Sequence, residues 1–341
     1  MLELYLFNSK EILALVSGTT FQTRFLDSIM KPRILLTGKN GQIGAELANL
    51  LPRLGDLAAF NHQQLDLSKP EQIRKVIREI HPQVIVNAAA FTNVDQAEKY
   101  EPEAQAINAE APGLMAEEAK RIGALLVHYS TDYVFDGTKS SPYEEDDETN
   151  PISAYGRTKL GGEQAIQEVG SAHLIFRTAW VYGLTGKNFL LTVLRLATER
   201  EELRVVHDQL GAPTWSREVA KGTFAVLSKL ASRSEITNPA ANGIYHMTAT
   251  GQGSWYDFAQ AILSEASYLG PEVPWYKRVT GGRSLIARCV TPIRSAEYVT
   301  PAKRPAFSVL STLKLREIFG EQLPPWRTQL RDAFSAGQSS D

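Results

Sequence analysis

Short apolar runs alternate with longer amphipathic segments through the first half of the chain. Runs typical of buried strands occupy residues 34–36, 57–60, 84–86, 125–129 and 174–176. Apolar residues recur at helical spacing between them, which predicts helices over residues 42–54, 68–80 and 103–121. Strands that alternate with helices are joined by right-handed crossovers. The pattern therefore predicts an α/β fold built on a doubly wound parallel Rossmann sheet.

After Tyr182 the regular alternation of predicted strands and helices ends. Helical patterns over residues 189–199, 216–230 and 254–266 are separated by loops that contain proline and glycine. We expect a smaller C-terminal substrate-binding lobe made of non-contiguous pieces. The predicted division assigns residues 30–182 and 215–248 to the Rossmann dinucleotide-binding domain and residues 183–214 and 249–335 to the lobe.

Residues 1–29 stand apart from this pattern. Glu3 and Glu11 interrupt their apolar stretches, and no small-residue cleavage site follows, so a signal peptide is a poor fit. Met30 directly precedes the lysine and proline that lead into the first strand. We expect residues 1–29 to be an upstream extension that is poorly ordered or not translated.

Composition narrows the class of protein. Hydrophobic residues make up 43% and charged residues 22%, and the formal net charge is -2, so no nucleic-acid or membrane partner is expected. No apolar run approaches the roughly 20 residues that a membrane helix needs. Cys289 is the single cysteine, which favours a cytoplasmic setting without disulfides. The acidic stretch at residues 144–148 is typical of a solvated loop.

Glycines recur at every third position between the first predicted strand and the first predicted helix. Gly38 permits a tight turn, Gly41 lets the backbone approach a pyrophosphate, and Gly44 lets the helix pack on the strand. The free N–H groups of the helix N-terminus would then face the phosphates. This placement predicts a dinucleotide site, although a purely structural turn is the alternative reading.

The second predicted strand ends at Asn61, where dinucleotide-binding folds often carry an acidic residue on the adenosine ribose. A carboxylate would repel a 2′-phosphate, whereas a neutral amide does not. No arginine or lysine occupies this corner either. Both NADPH and NADH therefore remain compatible with the sequence.

Tyr155 and Lys159 lie four positions apart, so they share one helical face. Such a pair is usually an ordinary exposed one. Here it follows the glycine loop and a strand that ends in Ser130 and Thr131, which favours catalysis. We expect the Lys159 ammonium, with the charge of an oxidised nicotinamide, to lower the pKa of Tyr155 from its usual value near ~10. Tyr155 would protonate a carbonyl oxygen that Thr131 also binds.

These motifs, in this order, resemble the extended short-chain dehydrogenase/reductases and, more narrowly, the dTDP-4-dehydrorhamnose reductase family. The likeness runs from about Pro32 to about Trp326. It also includes residues 86–90, 128–135, 176–182, 208–214 and 300–305. The resemblance implies reduction of the 4-keto group of dTDP-4-dehydro-6-deoxy-L-mannose by NADPH or NADH. The product would be dTDP-L-rhamnose, for rhamnose-containing polysaccharides.

The resemblance also implies roles for individual residues. The implied catalytic set is Thr131, Tyr155 and Lys159. The implied cofactor contacts are Gly38, Gly41, Gln42, Ile43, Gly44, Asn61, Asp66, Leu67, Ala88, Ala89, Ala90, Tyr155 and Lys159. The implied substrate contacts are Thr131, Asp132, Trp180, Gln209, Pro213 and Arg304. Three of these have plainer readings, since Asp132 could cap a loop, Trp180 could belong to the core, and Arg304 could pair with a surface carboxylate.

Members of the family are linked to magnesium at a dimer contact, so the resemblance leaves room for a homodimer and for Mg²⁺. Glu46 and Glu199 match two acidic positions, but the C-terminal tail offers no obvious third, so a tight metal site is not predicted. Magnesium would instead accompany the substrate's diphosphate. Two alternatives stay open: another nucleotide-sugar 4-ketoreductase or epimerase, and a non-catalytic regulatory subunit like that of methionine adenosyltransferase.

Overall fold

The computed structural model describes residues 31–233 and 236–338. The predicted N-terminal extension lies outside these residues. The strands are β1 Arg33–Thr37, β2 Asp56–Phe60, β3 Val84–Asn87, β4 Leu125–Thr131, β5 His173–Thr178, β6 Val181–Tyr182, β7 Glu202–Val206, β8 Leu210–Gly211, β9 Thr214–Trp215, β10 Gly243–His246, β11 Gly253–Ser254 and β12 Cys289–Ile293. The helices are α1 Gln42–Leu50, α2 Pro70–Ile80, α3 Val94–Ala97, α4 Glu101–Gln105, α5 Ala111–Ile122, α6 Ala154–Val169, α7 Phe189–Ala197, α8 Ser216–Ser232, α9 Trp255–Ala266, α10 Pro274–Thr280, α11 Leu313–Phe319 and α12 Trp326–Gln338.

A six-stranded sheet in the order β10-β5-β4-β3-β1-β2 forms the centre of the larger part, and all its strand pairs are parallel. Successive residues of β1 point to opposite faces. Ile34 and Leu36 pack in one hydrophobic cluster and Leu35 packs in another. Because helices cover both faces, the strands are apolar on both sides. The predicted doubly wound parallel sheet is confirmed.

The helix predicted over residues 103–121 is divided. It consists of α4, a π-helical turn at Ala106–Glu110, and α5. Within the turn, Asn108 is fully buried, and its amide hydrogen-bonds to the backbone of Phe91 and to Thr158. The extra residue in the turn points this amide across to α6, so a tertiary contact accounts for the interruption.

Ser68 and Glu71 have the spacing of a capping box, which predicts that the Ser68 hydroxyl caps the second helix, but this bond is absent from the described residues. Lys69 is the N-cap residue of α2 and makes no side-chain cap bond, while Pro70 begins the helix. The Ser68 hydroxyl donates to Asp66 at 2.7 Å instead. Because Pro70 has no N–H that needs a partner, the helix begins there without the predicted capping box.

A second core lies in the smaller part and is rich in aromatic side chains. It joins residues from α7, α9, α10 and α12, and its aromatic members include Trp215, Phe258, Trp275, Trp326 and Phe334. The predicted domain division stays a prediction. Leu315, Phe319 and Leu323, which that division placed in the lobe, pack in the cluster on one face of the six-stranded sheet.

Buried polar residues end four neighbouring strands of the large sheet. They are Thr37, Asn87, Thr131 and Thr178. In open α/β sheets, ligands bind beyond the carboxyl ends of the strands. The fold therefore places polar groups at the edge where a ligand is expected. Among the described helices, none is both long enough and apolar enough to cross a membrane.

Candidate active site

A cavity of about 920 Å³ opens at the carboxyl ends of the central strands. Its walls come from the loops that follow β1, β2, β3 and β5, from the end of β4, and from α6. Trp255 at the start of α9 closes it from the smaller part of the molecule. A cavity of this size, shared between the sheet and a second lobe, accommodates more than one small molecule.

The glycine loop forms one wall and is tightly packed. Gly38 has a φ of +72°, and a Cβ there would lie 2.7 Å from the backbone nitrogen of Ala89. A Cβ at Gly44 would lie 2.0 Å from the Gly38 carbonyl oxygen. Helix α1 then begins at Gln42, and no side chain caps it. The close-packed loop and uncapped helix N-terminus fit the pyrophosphate of a dinucleotide.

The catalytic candidates come together in the same cavity. Thr131, Tyr155 and Lys159 all line it. Ser153 caps helix α6, because its hydroxyl accepts the N–H of Gly156 at 3.1 Å. A Cβ at Gly156 would lie only 2.3 Å from the Tyr133 carbonyl oxygen, so glycine lets α6 approach the end of β4. That approach brings Tyr155 and Thr131 into one hydrogen-bonded group.

The protonation of this group differs from the expectation. Burial raises the pKa of Tyr155 to about 12, against an opposing hydrogen bond with Thr131. Burial lowers the pKa of Lys159 to about 8. The Nζ of Lys159 donates to the Tyr129 carbonyl at 2.6 Å. The predicted lowering of the Tyr155 pKa by Lys159 is therefore wrong for the protein's own groups, because desolvation dominates.

Two tryptophans form an aromatic wall opposite the glycine loop. Trp180 has a φ of 48°, a strained value for a bulky residue. Its ring stacks on Trp255 with centroids 3.5 Å apart and an interplanar angle of 2°. A Cβ at Gly211 would lie 2.4 Å from Trp180 Cε2, so the backbone of β8 supports the ring from behind. Trp180 and Trp255 both line the cavity. The sequence patterns did not single out Trp255.

Two residues that line the cavity carry buried hydroxyl groups without hydrogen-bond partners in the described part of the chain. Ser130 and Thr178 line it, and among the described residues their Oγ atoms have no hydrogen-bond partner. Buried polar atoms without partners are rare in folded proteins and call for an explanation. Thr178 was missed because only the fold brings the end of β5 beside β4.

Comparisons with known proteins agree with this geometry. A family model described as the RmlD substrate binding domain matches residues 30–339. The chain is 48% identical to dTDP-4-dehydrorhamnose reductase of Burkholderia thailandensis, covering 86% of this chain and 95% of the relative. It is 43% identical to the enzyme of that name from Escherichia coli, covering 87% and 95%. The chain belongs to the dTDP-4-dehydrorhamnose reductase family.

Solved structures show the same likeness. The dTDP-4-dehydrorhamnose reductase of Bacillus anthracis, in complex with NADP, superposes with a TM-score of 0.78 at 36% identity. The match covers 90% of this chain and all of the other. This family member therefore shares both the Rossmann sheet and the smaller lobe.

Most of the site residues that the family resemblance implied line the cavity. They are Gly38, Gly41, Gln42, Ile43, Asn61, Leu67, Ala88, Ala89, Ala90, Thr131, Asp132, Tyr155, Lys159 and Trp180. Asp132 is buried and accepts a hydrogen bond from the Thr131 hydroxyl at 3.0 Å, and burial raises its pKa to about 6. Asp132 thus belongs to the same hydrogen-bonded group as Thr131 and Tyr155.

The remaining implied residues do not line the cavity. They are Gly44, Asp66, Gln209, Pro213 and Arg304. Gly44 serves the packing of α1 on the glycine loop. Arg304 forms an ion pair with Asp95 at 2.9 Å, which is the plainer reading that the sequence left open. These five residues therefore lie outside the cavity lining that Thr131, Tyr155 and Lys159 share.

The two acidic residues considered for magnesium, Glu46 and Glu199, both form ion pairs within the chain. Glu46 pairs with Arg217 at 3.0 Å, and Glu199 pairs with Arg195 at 3.0 Å. Within residues 31–233 and 236–338, no group of three or more His, Cys, Asp or Glu side chains is arranged to hold a metal ion. The described residues therefore offer no magnesium site built from the side chains of one chain.

Proposed function

We propose that this protein reduces the 4-keto group of dTDP-4-dehydro-6-deoxy-L-mannose with NAD(P)H. The product is dTDP-L-rhamnose, for rhamnose-containing polysaccharides. The observation that supports this most directly is the meeting of Thr131, Tyr155 and Lys159 in one cavity beside the glycine loop. A proton donor, a carbonyl-binding hydroxyl and a dinucleotide wall are the parts that a ketone reductase needs.

The cofactor would lie along the wall from the glycine loop to Asn61. Gly41, Gln42 and Ile43 would bind its pyrophosphate, and residues 88–90 would border it beyond β3. When bound, the nicotinamide supplies the hydride. Asn61 places no carboxylate beside the adenosine ribose, which is compatible with the 2′-phosphate of NADPH as well as with NADH.

Tyr155 supplies the proton in this proposal. Its raised pKa, about 12, means that the phenol keeps its proton at neutral pH. The phenol Oη donates that proton to the substrate's carbonyl oxygen as the oxygen becomes negative. The hydroxyl of Thr131, held beside Tyr155 at the end of β4, binds the same oxygen and fixes its position.

The sugar would lie between this group and the stacked tryptophans. Trp180 presents a flat apolar ring to one face of the sugar, and Asp132 offers an acceptor to its hydroxyl groups. Gln209, Pro213 and Arg304 remain predicted contacts for the nucleotide. Their positions outside the cavity lining mean that they would contact the part of the substrate that extends beyond it.

The test is a cofactor-oxidation assay over a panel of nucleotide-linked keto-sugars. We expect the purified protein to oxidise NADPH or NADH with dTDP-4-dehydro-6-deoxy-L-mannose, and the product to be dTDP-L-rhamnose. Turnover with a different keto-sugar alone would favour another ketoreductase or an epimerase. A protein that oxidises neither cofactor on any member of the panel, and copurifies with a synthetase, would support the regulatory-subunit alternative.

A further inference from the structure

The segment that joins β6 to α7 lies against the end of the glycine loop. It runs from Gly183 to Asn188, and Gly186, Lys187 and Asn188 line the same cavity as Gln42, the first residue of α1. A Cβ at Gly183 would lie 3.3 Å from Gln42 Oε1. A Cβ at Gly186 would lie 3.8 Å from Gln42 Cγ. The segment therefore packs directly on the residue with which α1 begins.

The Asn188 amide joins this segment to Gln42. Its Nδ2 donates to the carbonyls of Gly183 and Thr185 at 2.9 and 3.2 Å, and its Oδ1 accepts the N–H of Leu191 at 3.1 Å. Rotating the amide by half a turn would place its oxygen against two carbonyls and its nitrogen against an N–H. Three backbone groups therefore fix the amide, and the same Nδ2 donates to Gln42 Oε1 at 3.0 Å.

The orientation of the Gln42 amide follows from that bond. A side-chain amide has one acceptor oxygen and one NH₂ group. Because the oxygen faces Asn188, the NH₂ group is left to donate, and it has no hydrogen-bond partner among the described residues. Gln42 also begins α1, whose N-terminus is uncapped and offers free backbone N–H groups. A phosphate at this N-terminus is the acceptor that such a set of donors fits.

Lys187 is the charged residue of the segment. The cavity lining contains two lysines, Lys159 and Lys187, and no arginine within the described part of the chain. Lys159 is buried at the catalytic end, where its Nζ donates to the Tyr129 carbonyl. Lys187 is exposed and borders the cavity beside Gln42. The pyrophosphate of a nicotinamide dinucleotide is negatively charged, so an ammonium group at this end complements it.

We propose that the segment 183–188 completes the cofactor site. Lys187 binds the pyrophosphate of the dinucleotide, and Asn188 is a positioning residue that holds the Gln42 amide with its NH₂ group free for the same pyrophosphate. The proposal rests on the cofactor of the proposed function. It adds a charged group to a glycine loop that otherwise offers only dipoles, from a segment far along the chain.

Cofactor affinity can be measured without turnover. We would titrate the full-length protein with NADPH and with NADH by isothermal titration calorimetry, in the absence of any keto-sugar. Lys187→Gln should raise Kd for both by about 10-fold, because both carry the same pyrophosphate and one charge-assisted contact is lost. Lys187→Arg keeps the charge and should restore tight binding. In about 1 M salt the loss caused by Lys187→Gln should shrink, because salt screens an exposed charge.

Three results would overturn the role of Lys187. One is an unchanged Kd for both cofactors in Lys187→Gln. A loss confined to NADPH would place the ammonium at the 2′-phosphate instead. A loss confined to the binding of dTDP, titrated separately, would place it at the diphosphate of the substrate. The matched control is Lys75→Gln on α2, where Lys75 is 72% exposed and lies outside the cavity lining, and it should leave Kd unchanged.

Asn188→Ser separates the positioning of Gln42 from the capping of α7. A serine hydroxyl still caps the helix, but it is too short to reach Gln42. We expect Kd for NADPH and NADH to rise by about 5-fold. In a Gln42→Ala background the same substitution should have a smaller effect, because the group that Asn188 orients is gone. An equal effect in both backgrounds would overturn the positioning role.

The binding measurements separate this proposal from the proposed function. A protein that binds both dinucleotides equally well with and without the two substitutions refutes this proposal and leaves ketone reduction standing. A protein that shows the expected losses of affinity but reduces no keto-sugar supports this proposal and refutes the proposed substrate. If neither dinucleotide binds to the unsubstituted protein, both fail together.

Discussion

Tyr155 is a residue whose protonation is set by burial rather than by a neighbouring charge. The phenol is surrounded by the ends of β4 and α6, and its pKa of about 12 keeps it protonated. We expect Tyr155→Phe to lower kcat by about 10²-fold or more, as the loss of a general acid does. Cofactor affinity, measured by fluorescence titration with NADPH, should stay the same.

Tyr268→Phe is the matched control, since Tyr268 is 80% exposed and removal of its hydroxyl should leave kcat unchanged. Normal turnover by Tyr155→Phe would mean that another group protonates the ketone. Of the neighbouring groups, Asp132 would then be the first to examine, because its pKa, raised to about 6, lies close to the working pH.

The position of the Trp180 ring depends on Gly211, which has no side chain to displace it. The backbone strain at Trp180 persists because β8 and Trp255 hold the ring from two sides. We expect Gly211→Ala to push the indole toward the cavity and to raise KM for the keto-sugar by about 10-fold to 10²-fold. Steady-state kinetics would show this, with Kd for NADPH unaltered.

Gly270→Ala makes the same change where no atom lies within 4 Å of the added Cβ, and should leave KM as it was. If Gly211→Ala also leaves KM unchanged, the stacked pair does not shape the sugar site. If it weakens NADPH binding equally, the aromatic wall belongs to the cofactor rather than to the sugar.

Elements whose burial follows from their own residues could be predicted from the sequence. The β4 strand begins with Leu125, Leu126 and Val127, and this apolar run is enough to predict it. Its polar continuation through Thr131 extends beyond the predicted residues 125–129, because neighbouring strands rather than its own composition hold it. The π-helical turn was missed for the same reason, since its amide partner lies on α6.

The residues of the candidate site likewise fall into those that the sequence predicted and those that only the fold brings together. Tyr155 and the glycine loop carry motifs with fixed spacing, so the sequence alone pointed to them. Trp255 is far from Trp180 along the chain, and only the fold stacks the two rings. Glu145 was expected in a solvated loop, yet it is buried and accepts the His246 N–H at 2.7 Å, because β10 pairs beside β5. Long-range partners of this kind leave no periodic signal.

One ion pair joins β5 to α6. Arg177 and Glu163 are 2% and 1% exposed and lie 2.7 Å apart. We expect Arg177→Met to lower the free energy of unfolding by about 3–5 kcal/mol, because it leaves a buried carboxylate without a partner. Urea unfolding followed by circular dichroism measures this. Adding Glu163→Leu should recover part of the loss.

An exposed pair supplies the comparison. Arg195 is 50% exposed and pairs with Glu199 on the surface, so Arg195→Met should cost less than about 1 kcal/mol. Equal losses from the buried and the exposed variants would mean that α6 is held to the sheet chiefly by its apolar contacts, and that the buried pair adds little.

At the scale of the whole molecule, His246 links the sheet edge to distant loops and makes stability depend on pH. It ends β10, and its Nδ1 lies 3.1 Å from the Ser311 carbonyl. Burial lowers its pKa from the usual 6.5 to about 3. Between these two values the unfolded chain binds a proton at this ring that the folded chain does not, so stability is lost as pH falls from about 6.5 toward 3.

The loss specific to His246 can be isolated by comparison with His246→Gln, which cannot take up that proton. The slope of unfolding free energy against pH between pH 5 and 6 should be smaller in the variant by about 1.4 kcal/mol per pH unit. Urea unfolding at closely spaced pH values measures both slopes. Contributions from Asp132 and the other histidines are common to both proteins and cancel in the difference. Glu145 lies 3.9 Å from His246 Nδ1, so the measured difference includes its coupling to His246. Parallel slopes would mean that His246 takes up its proton without unfolding, and that the contact between β10 and Ser311 opens locally in acid.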